Sequence, residues 1–181
     1  RDAQESRGLG DVYKRQGVAY VDNAFRLFFE RFGSEEWFRR TIFVFVADHV
    51  SSEKFAAETR SYPGNYHIIG FMYTPDGALR GQVGEVVQQL DIMPTLLGLL
   101  GNREPYFAFG RDVLNEPQRP QWSVSWDGAF QAVTNDGTIR FDDAQEIPAS
   151  SGAGNSLLQD FRALVQQYYS HAEKKSYIVH D

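Results

Sequence analysis

The sequence predicts an α/β fold, and three patterns in its 181 residues support that prediction. A helical pattern leads into residues 41–47, a continuous run of apolar, β-branched and aromatic residues. A strand without polar alternation is typical of a sheet that is covered on both faces, so we expect this strand to be central and parallel to a neighbour. Further along, residues 122–141 carry short aromatic strand patterns joined by turn residues, which predict a small antiparallel patch.

The first sixteen residues show neither a helical nor a strand period. Residues 11–16 read DVYKRQ, which the codons GAT GTG TAT AAG AGA CAG encode, and that DNA resembles the transposon mosaic end used to tag sequencing libraries. We therefore interpret residues 1–16 as a translated adaptor scar that packs against nothing, and we exclude them from fold reasoning. On this interpretation the native chain begins near Gly17 and is truncated upstream.

The first native element is predicted to be a helix that ends at Gly33. Its apolar residues recur at steps of three and four: Val18, Val21, Phe25, Phe28 and Phe32. After the buried strand, residues 66–74 predict a second strand. Residues 91–101 then predict a short helix, which Asp91 can cap and Gly101 ends.

The C-terminal part is predicted to contain a hairpin and a helix. Strand patterns cover residues 122–126, 130–134 and 138–141, and Asn135, Asp136 and Gly137 between the last two form a turn. A loop over residues 147–155 leads to a final helix. Its apolar face is marked by four residues: Leu157, Phe161, Leu164 and Tyr168.

Composition excludes several classes of protein. The longest apolar run, residues 42–47, is far shorter than the roughly 20 residues that span a bilayer. Acidic residues outnumber basic ones by 24 to 18, which argues against nucleic acid or an anionic membrane as the main partner. The absence of Cys excludes disulfides, thiolate metal sites and a Cys nucleophile within these residues.

The candidate metal ligands are Asp48 and His49, which follow the buried strand directly. Ligands in open α/β sheets gather at the carboxyl ends of strands, and a carboxylate beside an imidazole can bind a divalent cation. The alternative is an Asp that caps the following turn beside a solvent-facing His. The other histidines, His67, His171 and His180, are better explained as structural or solvated residues.

Other candidate motifs are weaker. Trp122, Trp126 and Phe130 could stack on a sugar or a lipid head, although aromatic residues in strands more often form a core. Ser51 and Ser52 follow the Asp-His pair without the G-x-S-x-G pattern of a nucleophile elbow, and glycine-rich phosphate loops are absent.

Several blocks of sequence resemble the C-terminal half of a sulfatase-type catalytic domain of the alkaline phosphatase superfamily, with lipoteichoic acid synthase-like proteins the most similar branch. The blocks are residues 20–24 with 28–29, 41–49, 89–97 and 109–114. The resemblance implies an α/β sandwich in which residues 17–115 are the C-terminal part of the catalytic domain. It also implies that residues 116–181 are an extension made of the hairpin and the helix.

The resemblance also implies a divalent metal ion, Mn²⁺ in the synthase branch, with Zn²⁺, Mg²⁺ or Ca²⁺ as alternatives. In such proteins a Glu, a nucleophilic Thr and an Asp-His pair hold the ion, and the pair corresponds to Asp48 and His49. The Glu, the Thr and a substrate-contacting His are expected upstream, so this chain alone is expected to be inactive. The remaining polar residues of the blocks are expected to be scaffold, with Asp22 and Asp91 as helix caps and Arg111 and Asp112 as a surface pair.

Three functions follow from the resemblance. The first is part of a metal-dependent phosphoglycerol or related headgroup transferase, the second part of a sulfatase or phosphodiesterase-type hydrolase, and the third a non-catalytic envelope binding module. Substrates of the parent are then a phospholipid headgroup or a sulfate or phosphate ester. The parent is expected to be membrane-anchored with its catalytic domain outside the cytoplasm, and this segment itself is expected to contact no membrane.

Overall fold

A computed structural model describes residues 2–50, 57–117, 121–141, 146–147 and 155–174. The helices and strands follow in the order α1 (Asp2–Phe32), α2 (Glu36–Arg39), β1 (Phe43–Val46), β2 (Gly70–Tyr73), α3 (Ile92–Leu99), β3 (Trp122–Trp126), β4 (Phe130–Thr134), β5 (Gly137–Phe141), β6 (Glu146–Ile147) and α4 (Asn155–Lys174). Helices are combined with small antiparallel sheets, which confirms the predicted α/β class.

The chain divides into two compact units. The first unit comprises Arg1–His49 and Ile68–Gln82, and the second comprises Val50–His67 and Val83–Asp181. Across the described ranges, no helix is both long enough and apolar enough to cross a membrane.

The first unit is built on an aromatic core. Strands β1 and β2 pair so that Phe43 lies opposite Tyr73. The ring of Phe29 on α1 lies 5.6 Å from the ring of Phe43 and 5.6 Å from that of Tyr73. Phe38 of α2 is 3% exposed, and its ring lies 4.8 Å from that of Phe43. Helix α1 therefore covers one face of the two-stranded sheet.

The predicted direction of the strand over residues 41–47 is wrong. Strand β1 pairs antiparallel with β2, and in the described part of the chain their sheet has only these two strands. Strand β1 is therefore an edge strand, and the side chain of Val46 is 43% exposed. An apolar run indicates that both faces of a strand are apolar, but it carries no information about the direction or number of its neighbours.

Helix α1 also begins earlier than predicted, at Asp2 rather than after Gly17. Residues 1–16 lack an apolar stripe, yet good helix formers such as Glu5 and Leu9 allow the backbone to be helical without one. Val12 and Tyr13 are 51% and 70% exposed, as expected for a segment that packs against nothing.

The second unit contains the antiparallel sheet β3-β4-β5-β6 and helix α4. Ala132 of β4 lies opposite Ile139 of β5, and both are buried against Phe161 of α4. The Trp122 ring meets the Phe161 ring edge-on at 5.5 Å. The predicted hairpin and terminal helix are thus confirmed. The predicted loop over residues 147–155 lies largely outside the described residues.

Helix α3 ends at Leu99, and Gly101 terminates it as predicted. This glycine has a φ of 70°, a left-handed conformation that favours Gly. Its N–H donates to the carbonyl of Gly98 at 3.0 Å, and the N–H of Asn102 donates to the carbonyl of Leu97 at 2.9 Å. These two bonds form a Schellman motif, which satisfies carbonyls that the helix end would otherwise leave unpaired.

Candidate metal centre

Strand β1 places Asp48 and His49 at its carboxyl end. The rings of Phe25 and Phe45, 5.5 Å apart, hold the strand against α1. One residue beyond the strand, the N–H of Ala47 donates to the carbonyl of Ile69 at 3.1 Å and continues the pairing with the segment before β2. The backbone is therefore fixed up to the residue that precedes the Asp-His pair.

The two side chains of the pair face each other across the bend that follows β1. The backbone N–H of His49 donates to Asp48 Oδ1 at 2.9 Å, which orients the carboxylate. The second carboxylate oxygen, Oδ2, lies 3.5 Å from His49 Nε2. The side chains of Asp48 and His49 are 87% and 78% exposed.

This geometry fits two ligands of one ion. Two donor atoms that each lie about 2.1 Å from a tetrahedral ion are about 3.4 Å apart. The observed separation between Asp48 Oδ2 and His49 Nε2 is 3.5 Å, so the two atoms can face one cation with little rearrangement. Carboxylate oxygen and imidazole nitrogen suit Zn²⁺ and also Mn²⁺.

Two side chains are fewer than the three or four protein ligands of a typical metal site. No group of three or more His, Cys, Asp or Glu side chains suited to a metal ion is present among the described residues. Of the other histidines, His67 follows the 3-10 turn Gly64–Tyr66, and its N–H donates to the carbonyl of Gly64. His171 lies on α4 with its ring 4.6 Å from that of Phe107. His180 and the Ser51-Ser52 pair lie outside the described residues.

The Asp91 side chain does not cap α3 itself, but it caps the 3-10 turn Gln89–Asp91 that leads into α3, in a capping box with Gln88. Its carboxylate is 2% exposed and accepts two backbone N–H groups. Oδ1 accepts the N–H of Arg111 at 2.9 Å, and Oδ2 accepts the N–H of Gln88 at 3.0 Å. Asp91 therefore joins the start of α3 to a segment twenty residues further along the chain.

Arg111 and Asp112 are not the predicted surface pair, because both are buried, at 4% and 6% exposure. Arg111 Nη2 lies 3.3 Å from Glu85 Oε2. Asp112 Oδ1 accepts the N–H groups of Leu114 at 3.0 Å and Asn115 at 3.1 Å. The prediction placed both residues at the surface because they are charged. Glu85, 26 residues away, stabilises the buried Arg111, and the backbone N–H groups of a tight turn stabilise the buried Asp112.

Thr95 belongs to the same buried group, and sequence reasoning did not single it out. Its hydroxyl donates to the carbonyl of Asp91 at 2.6 Å and accepts the N–H of Val113 at 3.0 Å. The available signal was a Thr four residues after an Asp in an otherwise apolar helix. These residues stabilise the second unit, in agreement with the expectation that they are scaffold.

Asp22, by contrast, is not a helix cap. It lies exposed in the interior of α1, twenty residues after the first helical residue, so its carboxylate is remote from the unpaired N–H groups at the helix start. The prediction was wrong because it placed the start of the helix near Gly17.

One comparison with known proteins gives a match. The family model described as Sulfatase matches residues 13–102, just under half of the chain. The match includes the Asp48-His49 pair and all of α3, and it begins within the segment that we interpret as an adaptor scar. No curated protein and no solved structure matches the chain. The finding supports placing residues 13–102 in the sulfatase and alkaline phosphatase superfamily, an enzyme group whose members generally use divalent metal ions.

Proposed function

We propose that this chain is part of a metal-dependent phosphoglycerol or related headgroup transferase of the lipoteichoic acid synthase-like branch. The observation that carries the metal-dependent part of this proposal is the Asp48-His49 pair, which lies at the carboxyl end of a strand within the Sulfatase match, and the transferase branch rests on the sequence resemblance. A divalent ion bound there, with Mn²⁺ our first choice, would stabilise the negative charge on a transferred phosphoryl group.

In this proposal each residue of the pair has a defined task. Asp48 supplies Oδ2 and one negative charge, and the N–H of His49 holds the other carboxylate oxygen so that Oδ2 is presented in a fixed orientation. His49 supplies Nε2 as a neutral imidazole. Both side chains are largely exposed, which leaves room for further ligands and for substrate. We place the remaining Glu ligand, the Thr nucleophile and the substrate-contacting His upstream, and we expect the present chain to be inactive.

The second candidate is part of a sulfatase or phosphodiesterase-type hydrolase, which the description of the matched family favours. The two candidates share the Asp-His pair, so the pair cannot separate them. A Thr nucleophile together with membrane helices in the parent would favour the transferase, and a C/S-x-P-x-R motif behind a signal peptide would favour the hydrolase. A parent without a nucleophile would instead be a non-catalytic envelope module. For either enzyme we propose an extracytoplasmic catalytic domain.

Paramagnetic broadening tests the proposed ligands on the chain itself. Mn²⁺ added below one equivalent is expected to broaden the imidazole C–H resonances of His49 before those of His67 and His171. Asp48→Ala should remove this preference because it removes one of the two ligands that hold the ion near His49. Asp22→Ala is the matched control, since it deletes an exposed carboxylate of the same unit and should leave the preference unchanged.

If His49 broadens no earlier than His67 and His171, the pair is not a cation site. If Asp22→Ala and Asp48→Ala weaken the broadening equally, the effect is a general attraction to an acidic chain.

A further inference from the structure

The end of strand β3 presents an aromatic side chain that the proposed function does not use. Trp126 is the last residue of the strand, and its side chain is 58% exposed. Trp122 points to the same face of the sheet four residues earlier, but it packs edge-on against Phe161 in the core. The strand therefore extends beyond the core that α4 provides, and a large part of the Trp126 indole remains in contact with solvent.

The indole packs edge-on against the ring of Phe130 at 4.7 Å, and polar groups lie along the adjoining backbone. The Tyr66 hydroxyl donates to the main-chain carbonyl of Trp126 at 3.2 Å, and the Tyr66 side chain is itself 38% exposed. Burial and, to a smaller extent, the neighbouring carboxylate of Asp127 raise the pKa of Tyr66, so its phenol stays protonated at neutral pH. Asp127 is exposed in the turn that follows the strand.

Two buried hydroxyls, those of Tyr62 and Ser125, lie close to each other near this strand end. Tyr62, whose ring lies 6.0 Å from that of Tyr66, and Ser125, which precedes Trp126, each have a buried side-chain oxygen without a well-formed hydrogen bond among the described residues. Burial raises the pKa of Tyr62 to about 12, and the nearby Ser125 hydroxyl only partly opposes this. Because Ser125 alternates with Trp126 along the strand, its hydroxyl points to the opposite face of the sheet, and this pair of hydroxyls takes no part in the site described next.

We propose that this strand end binds a neutral sugar ring. The apolar C–H face of the ring would stack on Trp126, as sugars and other amphipathic ligands do on exposed aromatic rings. The ring hydroxyls would bond to the carboxylate of Asp127 and to the hydroxyl of Tyr66. A neutral ligand is favoured over a sulfate or phosphate ester because the Asp127 carboxylate repels an anion at close range.

The proposed sugar site goes beyond the proposed transferase function and is independent of it. Trp126 and Asp127 lie outside residues 13–102, although Tyr66 lies within them, and no metal ion or nucleophile takes part. The site can therefore be tested on the present chain.

The experiment is a titration of the whole chain with four neutral hexasaccharides, namely cellohexaose, maltohexaose, laminarihexaose and N-acetylchitohexaose, followed by tryptophan fluorescence and calorimetry. We expect at least one of them to bind with a Kd on the order of 1 mM or tighter. Trp126→Ala should weaken that binding by about tenfold or more, since it removes the stacking surface. Trp126→Leu should weaken it similarly, because Leu retains apolar contact with Phe130 but lacks a flat ring.

Matched controls separate the site from other aromatic surfaces. Trp37→Ala removes an indole of the first unit that is 46% exposed, and it should leave sugar binding unchanged. Sodium sulfate should not compete with the sugar.

The proposal is overturned if none of the four sugars shows binding at a sugar concentration of about 10 mM, which is about ten times the expected Kd. It is also overturned if binding persists in both Trp126 variants, or if the chain binds phosphatidylglycerol vesicles through Trp126 and no sugar.

Discussion

Gly98 of α3 allows two physical effects of opposite sign to be compared in one substitution. In a helix interior, Gly→Ala normally stabilises by about 1 kcal/mol. Here a Cβ on Gly98 would overlap Oδ2 of the buried Asp112 and lie only 2.8 Å from its Cγ. Because real Cβ contacts are essentially never shorter than 3.0 Å, either the helix or the carboxylate must move.

The cost follows from what the Asp112 carboxylate holds. It accepts two backbone N–H groups and the Asn115 Nδ2 amide, the latter at 2.7 Å. Overpacking costs about 1–3 kcal/mol, and each hydrogen bond to a charged group is worth about 1.5–3 kcal/mol. After subtracting the gain in helix propensity, we expect Gly98→Ala to lower the free energy of unfolding by about 2–4 kcal/mol.

Urea unfolding followed by circular dichroism measures this change. With a slope of about 2 kcal/mol per molar urea, the midpoint should fall by about 1–2 M. Amide exchange of Leu114 and Asn115 should also accelerate, because their N–H groups bond to Asp112. Gly17→Ala is the control, since a Cβ there meets nothing within 4 Å. A Gly98→Ala chain as stable as the unsubstituted one would refute the packing of α3 against Asp112.

Four other substitutions test the two units. In urea titrations, Phe161→Ala should lower the free energy of unfolding by about 3–5 kcal/mol, because Phe161 is 2% exposed. The control Tyr169→Ala, at a half-exposed position, should change it by about 0.5 kcal/mol or less. Burial raises the pKa of Tyr62 from 10.0 to about 12. The stability that Tyr62 contributes is therefore present below pH 10 and is lost between pH 10 and 12. The unfolding midpoint of Tyr62→Phe should fall less steeply across that range than the midpoint of the unsubstituted chain. Asp22→Ala should leave the melting temperature unchanged or raise it, since Ala is the better residue at an exposed position inside a helix, and a loss of about 1 kcal/mol would restore its role as a cap.

Elements whose signals are local were predicted well. Strands β3 and β4 have the predicted bounds, since alternating side chains and the Asn135-Asp136-Gly137 turn lie within one short stretch. The end of α3 was predicted because Gly101 alone can adopt the left-handed conformation at low cost.

Features that depend on distant partners were not predicted. Strand β1 was located, but its antiparallel pairing with β2 depends on residues about 25 positions away. Arg111 was expected at the surface because of its charge, and its burial depends on Glu85 and on the carboxylate of Asp91. The face-to-face geometry of Asp48 and His49 is local and follows from their adjacency, whereas the rest of a ligand set must come from elsewhere in the fold.

The central claim is that Asp48 and His49 hold a divalent metal ion in an enzyme of the sulfatase superfamily. The most direct test is the metal content of the proposed full-length parent, purified with and without the double substitution Asp48→Ala and His49→Ala and measured by elemental analysis. The account predicts that the ion is largely lost and that phosphoryl or sulfuryl transfer falls with it, because each substitution removes a ligand. A double variant with the metal content and turnover of the unsubstituted enzyme would contradict it.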